Sequence, residues 1–278
     1  MNVLELTLLI ALGSTVAGFL GALTGLGGGV VIVPLLTLGF GVDIRYAVGA
    51  SLVSVIATSS AAAAAYVKEG YTNIRIGMFL EVATTFGALA GAFLAGYVSA
   101  QAVAVVFGVV LLVSAWLSWR RQAEPEWHGA ADALATRLRL DSSVPTPNGH
   151  QSYHVQRVPL GFGMMVVAGI LSGLLGIGSG AFKVLAMDHA MRIPFKASTT
   201  TSNFMIGVTA AASAGIYLAR GYLDPGLTMP VMLGVLLGAL LGARALPSAP
   251  PRVLRIVFAL VIAALGIEMI SQGLTGKL

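Results

Sequence analysis

Residues 18–34 read GFLGALTGLGGGVVIVP, six glycines in otherwise apolar sequence closed by Pro34. Each glycine inside a helix costs about 1 kcal/mol relative to alanine, so a continuous helix through this stretch is disfavoured. The backbone is expected to unwind from Gly25 to Gly29. In a bilayer, unwound backbone persists only where protein or a water-filled cavity satisfies its N–H and C=O groups. Such a break points to a pathway or a site.

The break occurs twice. Residues 169–185 read GILSGLLGIGSGAFKVL, and adding 151 to a residue number carries Gly18, Gly25, Gly27 and Gly29 onto Gly169, Gly176, Gly178 and Gly180 without a gap. The same offset takes Ser51 to Ser202, Thr58 to Thr209, Tyr66 to Tyr217, Gly70 and Tyr71 to Gly221 and Tyr222, and Gly87 and Gly91 to Gly238 and Gly242. The chain therefore divides into a first membrane repeat, residues 1–119, a polar linker, 120–157, and a second membrane repeat, 158–278. A duplicated unit with an interrupted apolar segment in each half is a sequence pointer to a secondary transporter's binding site.

Composition sets the class. With 57% hydrophobic and 10% charged residues among 278, the chain is too apolar for an ordinary soluble domain. It reads as an all-α polytopic membrane protein. Eight full spans are expected near 3–23, 46–67, 76–98, 103–119, 159–175, 197–218, 226–246 and 253–270, with short broken pieces over 30–40 and from the second break to Met191. The first run has no basic n-region and belongs to the repeat, so it reads as a retained span. The chain contains no cysteine, which excludes disulfides, thiol catalysis and thiolate metal ligation. The net charge of +5 sits mostly beside the spans, where it orients the chain and does not mark a nucleic-acid partner.

The linker holds Pro125, Pro145, Pro147 and three of the four histidines, His128, His150 and His154, without metal-ligand spacing. Its 130–140 stretch is expected to form a short surface helix, because Leu134 and Leu138 lie one turn apart. Residues 141–153 read as disordered, with no folded domain in the linker.

Topology turns on whether the short pieces cross. Five extended residues at about 3.3 Å each followed by twelve helical residues at about 1.5 Å each reach roughly 34 Å, enough for a bilayer core of about 30 Å. Each half then has five crossings and the halves are inverted, 5+5. Four crossings per half make them parallel. Placing the Arg-rich linker in the cytoplasm, the inverted arrangement leaves only Arg45, Arg220 and Lys277 outside, with twelve of the 16 basic residues inside and Lys183 within the membrane. The parallel arrangement divides the same residues nine to six, so basic-residue bias favours inversion.

The run Gly25-Leu26-Gly27-Gly28-Gly29 followed by Pro34, matched by Gly176-Ile177-Gly178-Ser179-Gly180, resembles the TauE/SafE family of sulfite and organosulfonate transporters over nearly the whole chain. Ser179 replaces a glycine, and Leu185 stands where the first half has Pro34. The resemblance implies transport, by export or uptake, of small sulfur-containing anions such as sulfite or sulfoacetate.

Candidate site residues follow. Glycine breaks present consecutive free N–H groups that attract anions, which marks Gly25, Gly27, Gly28, Gly29, Gly176, Gly178, Ser179 and Gly180. The alternative is that these glycines only permit close packing. Lys183 lies in apolar sequence, where a charge costs about 2.5 kcal/mol or more at mid-membrane, and its first-half counterpart is Ile32. It either binds or compensates an anion, or snorkels to the interface. Ser51, Thr200, Ser202 and Asn203 offer hydroxyls and an amide that coordinate an oxyanion, or else bond between helices. Glu81, inside the third span, is the candidate proton-coupling carboxylate. Asp188 and His189 read as a solvated loop. A secondary transporter using a proton or ion gradient, an anion channel, and more remotely a membrane enzyme remain as function classes. The sequence carries no paired carboxylates, histidine cluster or nucleotide loop for the last. No cofactor or metal is expected, the partners are a small anion and the lipid bilayer, and self-association is left open. The expected location is the cell inner membrane.

Overall fold

The computed structural model describes residues 3–24, 28–68, 70–119, 132–146, 149–245 and 251–276. Gly25 and Gly27 lie outside the described residues. The first half comprises α1 (Val3–Thr24), the short α2 (Gly29–Pro34) continued by a π-helical turn (Leu35–Gly39), α3 (Ile44–Lys68), α4 (Ile74–Leu94) and α5 (Ala100–Trp119). After the linker elements α6 (Ala133–Arg137), β1 (Ser142–Thr146) and β2 (Gly149–Tyr153), the second half repeats the plan. It has α7 (Val158–Leu175), short α8 (Gly180–Leu185) with its π-helical turn (Ala186–Ala190), α9 (Phe195–Ala219), α10 (Pro225–Ala245) and α11 (Pro251–Thr275). Every first-half helix has its counterpart at the 151-residue offset. The π turn forms in both halves, so Pro34, absent from the second, is not its cause.

Five of the described helical stretches are long and apolar enough to cross a membrane: Leu4–Gly21, Ile74–Leu94, Val158–Leu175, Phe195–Ala219 and Pro225–Gly242. Gly29–Gly39, Ile44–Ser60, Ala100–Trp116 and Ala259–Thr275 are shorter apolar helices. Leu4, Leu8, Leu12 and Val16 are exposed along one face of α1, the apolar surface that a helix turns towards lipid.

The halves interlock. Helix α1 packs chiefly on α10 and α7 on α4, while α3 packs on α9 and α5 on α11. Small residues make the crossings close. A side chain at Gly169 or Gly173 would collide with the backbone of Thr84 or Ala88 on α4, and one at Gly18 with that of Val235 on α10. For Gly18 and Gly169 the close-packing reading is therefore the correct one.

Helices α3 and α9 run antiparallel. Near the start of α3, Gly49 lies against the carbonyl of Tyr222, just past the end of α9. At its other end the Asn73 N–H donates to Thr201 Oγ1 near the start of α9 (3.0 Å). Arg220, which ends α9, donates to the last carbonyls of α4, Ala92 O (2.8 Å) and Phe93 O (2.9 Å), a cation at a helix C-terminus.

The expectation of a disordered 141–153 is overturned. β1 and β2 form an antiparallel hairpin with Ser142 opposite Tyr153, and the linker packs as a cap on one end of the bundle. Ala135, Leu140, Tyr153 and Val155 share a buried cluster with Ile76, Leu80, Met187 and Met191. Asn73 is the tie: Nδ2 donates to Leu140 O and to the Tyr153 hydroxyl (both 2.9 Å), while Oδ1 accepts from Ile76 N–H as the cap of α4 (3.2 Å). Burial pushes the Tyr153 phenol pKa up, which keeps it protonated. The polar, proline-bearing composition of the segment hid this, because its apolar anchors are few and widely spaced.

Candidate functional site

The second break is four residues, 176–179, between α7 and α8. Gly176 and Gly178 have φ of 69° and 68°, a left-handed conformation that glycine adopts without steric penalty. Ser179 also has positive φ, 46°, which is disfavoured for a residue with a Cβ. Its hydroxyl is buried and without a partner among the described residues, as is that of Ser172 one turn before the break. The N–H groups of Gly178 and Ser179 have no hydrogen-bond acceptor among the described residues. Backbone strain and unpartnered polar groups thus fall on the same turn.

This break is compact, not extended, and α8 with its π turn adds eleven helical residues, about 16 Å. The short segment therefore does not gain the 34 Å reach expected from an extended break. It returns towards the linker, where Gln156 N–H donates to Met191 O (3.1 Å).

The two breaks meet. A Cβ on Gly29, the first residue of α2, would lie 2.7 Å from Ser51 Oγ, 2.9 Å from Val55 Cγ2 and 3.0 Å from Gly176 O. Ser51 Oγ itself donates to Gly176 O (2.8 Å), and Ser202 Oγ donates to Gly180 O (3.3 Å). Equivalent serines of α3 and α9 thus both brace the second break. Gly28 has ordinary helical φ, −66°, and points to Val235 and Ile32, so it stands behind the junction. Thr200 bonds to its own helix at Lys196 O and Ala197 O. Asn203 is buried and makes no side-chain hydrogen bond among the described residues.

Lys183 does not snorkel. It is fully buried, and its Nζ donates to Thr209 Oγ1 (2.6 Å). Thr209 in turn donates to Glu81 Oε1 (2.7 Å). Thr84 and Thr85 add hydroxyls to the same carboxylate at 3.0 and 3.2 Å. Glu81 is buried with them, not at an interface, and three hydroxyl donors suit the ionised form, which only accepts. At the 151-residue offset the first half has Ile32 for Lys183 and Thr58 for Thr209, and the second half has Met232 for Glu81. The charged network exists once, so the two halves serve the site unequally.

Thr84, Thr85 and Thr209 were not singled out from sequence as site residues. The available signal was their position, since Thr84 and Thr85 follow Glu81 at helical spacings of three and four. Asp188 is also relocated: its side chain is buried in the second π turn, with His189 Nε2 3.9 Å away, where a solvated loop was expected.

Against known proteins, residues 10–269 match the family described as Sulfite exporter TauE/SafE. "Probable membrane transporter protein YunE" of Bacillus subtilis (strain 168) is 26% identical, covering 98% of this chain and 99% of its own. "Probable membrane transporter protein YdhB" of the same organism is 27% identical over 92% and 95%. A "Probable membrane transporter protein" of Xylella fastidiosa (strain 9a5c) is 26% identical over 95% of each. No solved structure matches. With its apolar helices and a match from one end of the bundle to the other, this chain is a multi-pass membrane protein of the TauE/SafE sulfite exporter family.

Proposed function

We propose that the chain is a secondary transporter that moves small sulfur-containing anions, such as sulfite, sulfoacetate or a related organosulfonate, by alternating access at the junction of its two breaks. The observation that carries this is the meeting of Gly29 with Gly176, beside the unpartnered hydroxyl of Ser179 and the free N–H groups of Gly178 and Ser179. Neutral donors grouped on one turn suit an oxyanion. Ser51, Ser202, Gly180, Thr200 and Asn203 form the surrounding wall, and Lys183 supplies positive charge one helical turn away. Glu81 is the proton-coupling carboxylate. Export is the direction that the family's description suggests.

The proposed topology is inverted, five helical segments per half with the short one turning back within the membrane to the side on which its half begins, in the cell inner membrane, with the linker cytoplasmic and the amino terminus outside. It is supported by the antiparallel run of α3 and α9, by the exchange of α1 and α7 between halves, and by the basic-residue count. The chain lacks cysteine, so Asn2→Cys provides a unique label. It is expected to react with an impermeant maleimide on intact spheroplasts. Reaction only after lysis overturns the inverted arrangement.

Substrate class is tested by thermal unfolding of the purified protein in detergent against sulfite, sulfoacetate, methanesulfonate, sulfate, chloride and neutral solutes. A ligand that prefers the folded state raises Tm, by about 2.7 kcal/mol of stabilisation at one hundred times its Kd. At least one sulfur oxyanion is expected to raise Tm above the chloride control. A flat response to every anion sinks the reading.

A further inference from the structure

Resting on the transporter reading above, we infer that Glu81 and Lys183 make the carrier an electroneutral one, taking one proton with each singly charged sulfur oxyanion, such as hydrogensulfite or an alkanesulfonate, and discriminating against doubly charged ones, which narrows the substrates proposed above by placing doubly ionised sulfoacetate among the disfavoured.

The inference starts from charge conservation in a sealed site. Lys183 and Glu81, joined through Thr209, are neutral as a pair and are buried on every side. Among the described residues no other charge reaches Glu81. Helix α7, which packs along α4, has no ionisable residue. On α9 the Lys196 ammonium lies outside over the Tyr71 ring (5.2 Å). After α8, Asp188 faces His189 and Arg192. On α4 itself Arg75 reaches out to the linker at Arg139 O (3.4 Å). Among the described residues Lys183 is the charged group that acts on Glu81.

An anion entering such a site leaves a net negative charge in a low-dielectric interior, which is costly. A proton on Glu81 removes that charge. The neutral carboxyl then releases its electrostatic hold on Lys183, whose ammonium has three N–H donors and spends one on Thr209. Lys183 lies three residues after Gly180 on α8, so the freed charge sits about one turn, roughly 5 Å of axis, from the strained break and its unpartnered donors.

The ledger of charge then closes in both states: empty carrier with Glu81 ionised, loaded carrier with Glu81 protonated and a monoanion bound. One proton and one anion cross together, and no net charge moves. A dianion leaves one negative charge uncompensated. Direction follows from the two gradients: an acidic exterior drives the anion inward, and the carrier exports only while the internal anion excess exceeds the proton ratio.

The experiment uses the purified full chain in proteoliposomes with an internal pH dye. An imposed methanesulfonate gradient is expected to carry protons in the same direction, at a rate unchanged within about twofold when valinomycin and potassium clamp the potential. Methanesulfonate affinity, read by thermal shift, is expected to rise about tenfold per pH unit of acidification above the titration of Glu81, and sulfate is expected to bind at least about tenfold more weakly. Glu81→Gln is expected to bind methanesulfonate without pH dependence and to exchange it without proton movement. Flux that scales with the clamped potential, or parent affinity that does not vary with pH, overturns the inference even if the variant fails to fold. Should Glu81→Gln retain the parent's pH dependence, the inference also fails. Absence of any anion binding overturns the transporter reading, and this one with it.

Discussion

Lys183→Met is expected to destabilise the protein by roughly 3–5 kcal/mol, the cost of leaving a buried charge without its partner. Combining it with Glu81→Gln is expected to recover most of that loss. Sequence alone makes Lys183 an isolated charge, and its removal then harms transport more than folding. The structure makes it half of a pair. The methionine side chain fills a similar volume, so little of the loss in the single variant arises from a cavity; it arises from the stranded Glu81 carboxylate, held by Thr84, Thr85 and Thr209 but without a cation. In the double variant both charges are gone and apolar packing replaces a bridged ion pair, a change that is often neutral. Lys183→Arg keeps the charge and is the milder single change, although a larger head group in a fully enclosed site carries an overpacking cost of about 1–3 kcal/mol. The check is a double-mutant cycle by thermal or denaturant unfolding in detergent, alongside anion transport in vesicles. Transport is expected to be lost in both Met-containing variants, so stability and activity separate in the double. A Lys183→Met protein as stable as the parent contradicts the coupling.

Much of the fold was legible because a repeat confers redundancy. The 151-residue offset located each helix twice, and the glycine runs marked where each first helix stops. What sequence did not convey was long-range pairing. Nothing local places Glu81 of α4 against Lys183 of α8 through Thr209 of α9, since the three lie on separate elements of two halves. Nor does any local pattern reveal that Ser51, a residue of the first half, braces the break of the second. The linker was misread for a related reason. Its hairpin is stabilised less by its own alternation than by Asn73 and the buried Met187 and Met191, which belong to the bundle it caps. Conversely, the glycines at 18 and 169 looked like part of the break and are instead contact points between helices, which the spacing of Gly87 and Gly91 foreshadowed.

The junction of the breaks yields the other large effect, and it falls on Gly29, not on its neighbour. Gly29→Ala is expected to reduce transport by at least about tenfold and to cost about 1–3 kcal/mol, the range for overpacking a filled site. Its Cβ would enter space already held by Ser51 Oγ, Val55 Cγ2 and the Gly176 carbonyl. Two of those cannot step aside freely: Gly176 O is backbone in a left-handed turn, and Ser51 Oγ is its hydrogen-bond donor. The start of α2 would have to back away from the second break, opening the contact on which the proposed transport path rests. Gly28→Ala provides the contrast. Its helical φ accepts a side chain, and among the described residues the Cβ would meet the ends of Val235, at 3.0 Å, and Ile32, at 3.4 Å, with the Gly18 Cα at an ordinary contact distance of 3.6 Å. There the gain from restricting the unfolded chain, about 0.4–1 kcal/mol, offsets the small adjustment, and transport is expected to stay within about twofold of the parent. Adjacent glycines with the same substitution thus separate the junction from general packing. If Gly28→Ala proves as damaging as Gly29→Ala in both unfolding and flux, the meeting of the two breaks is not where the substrate path is built.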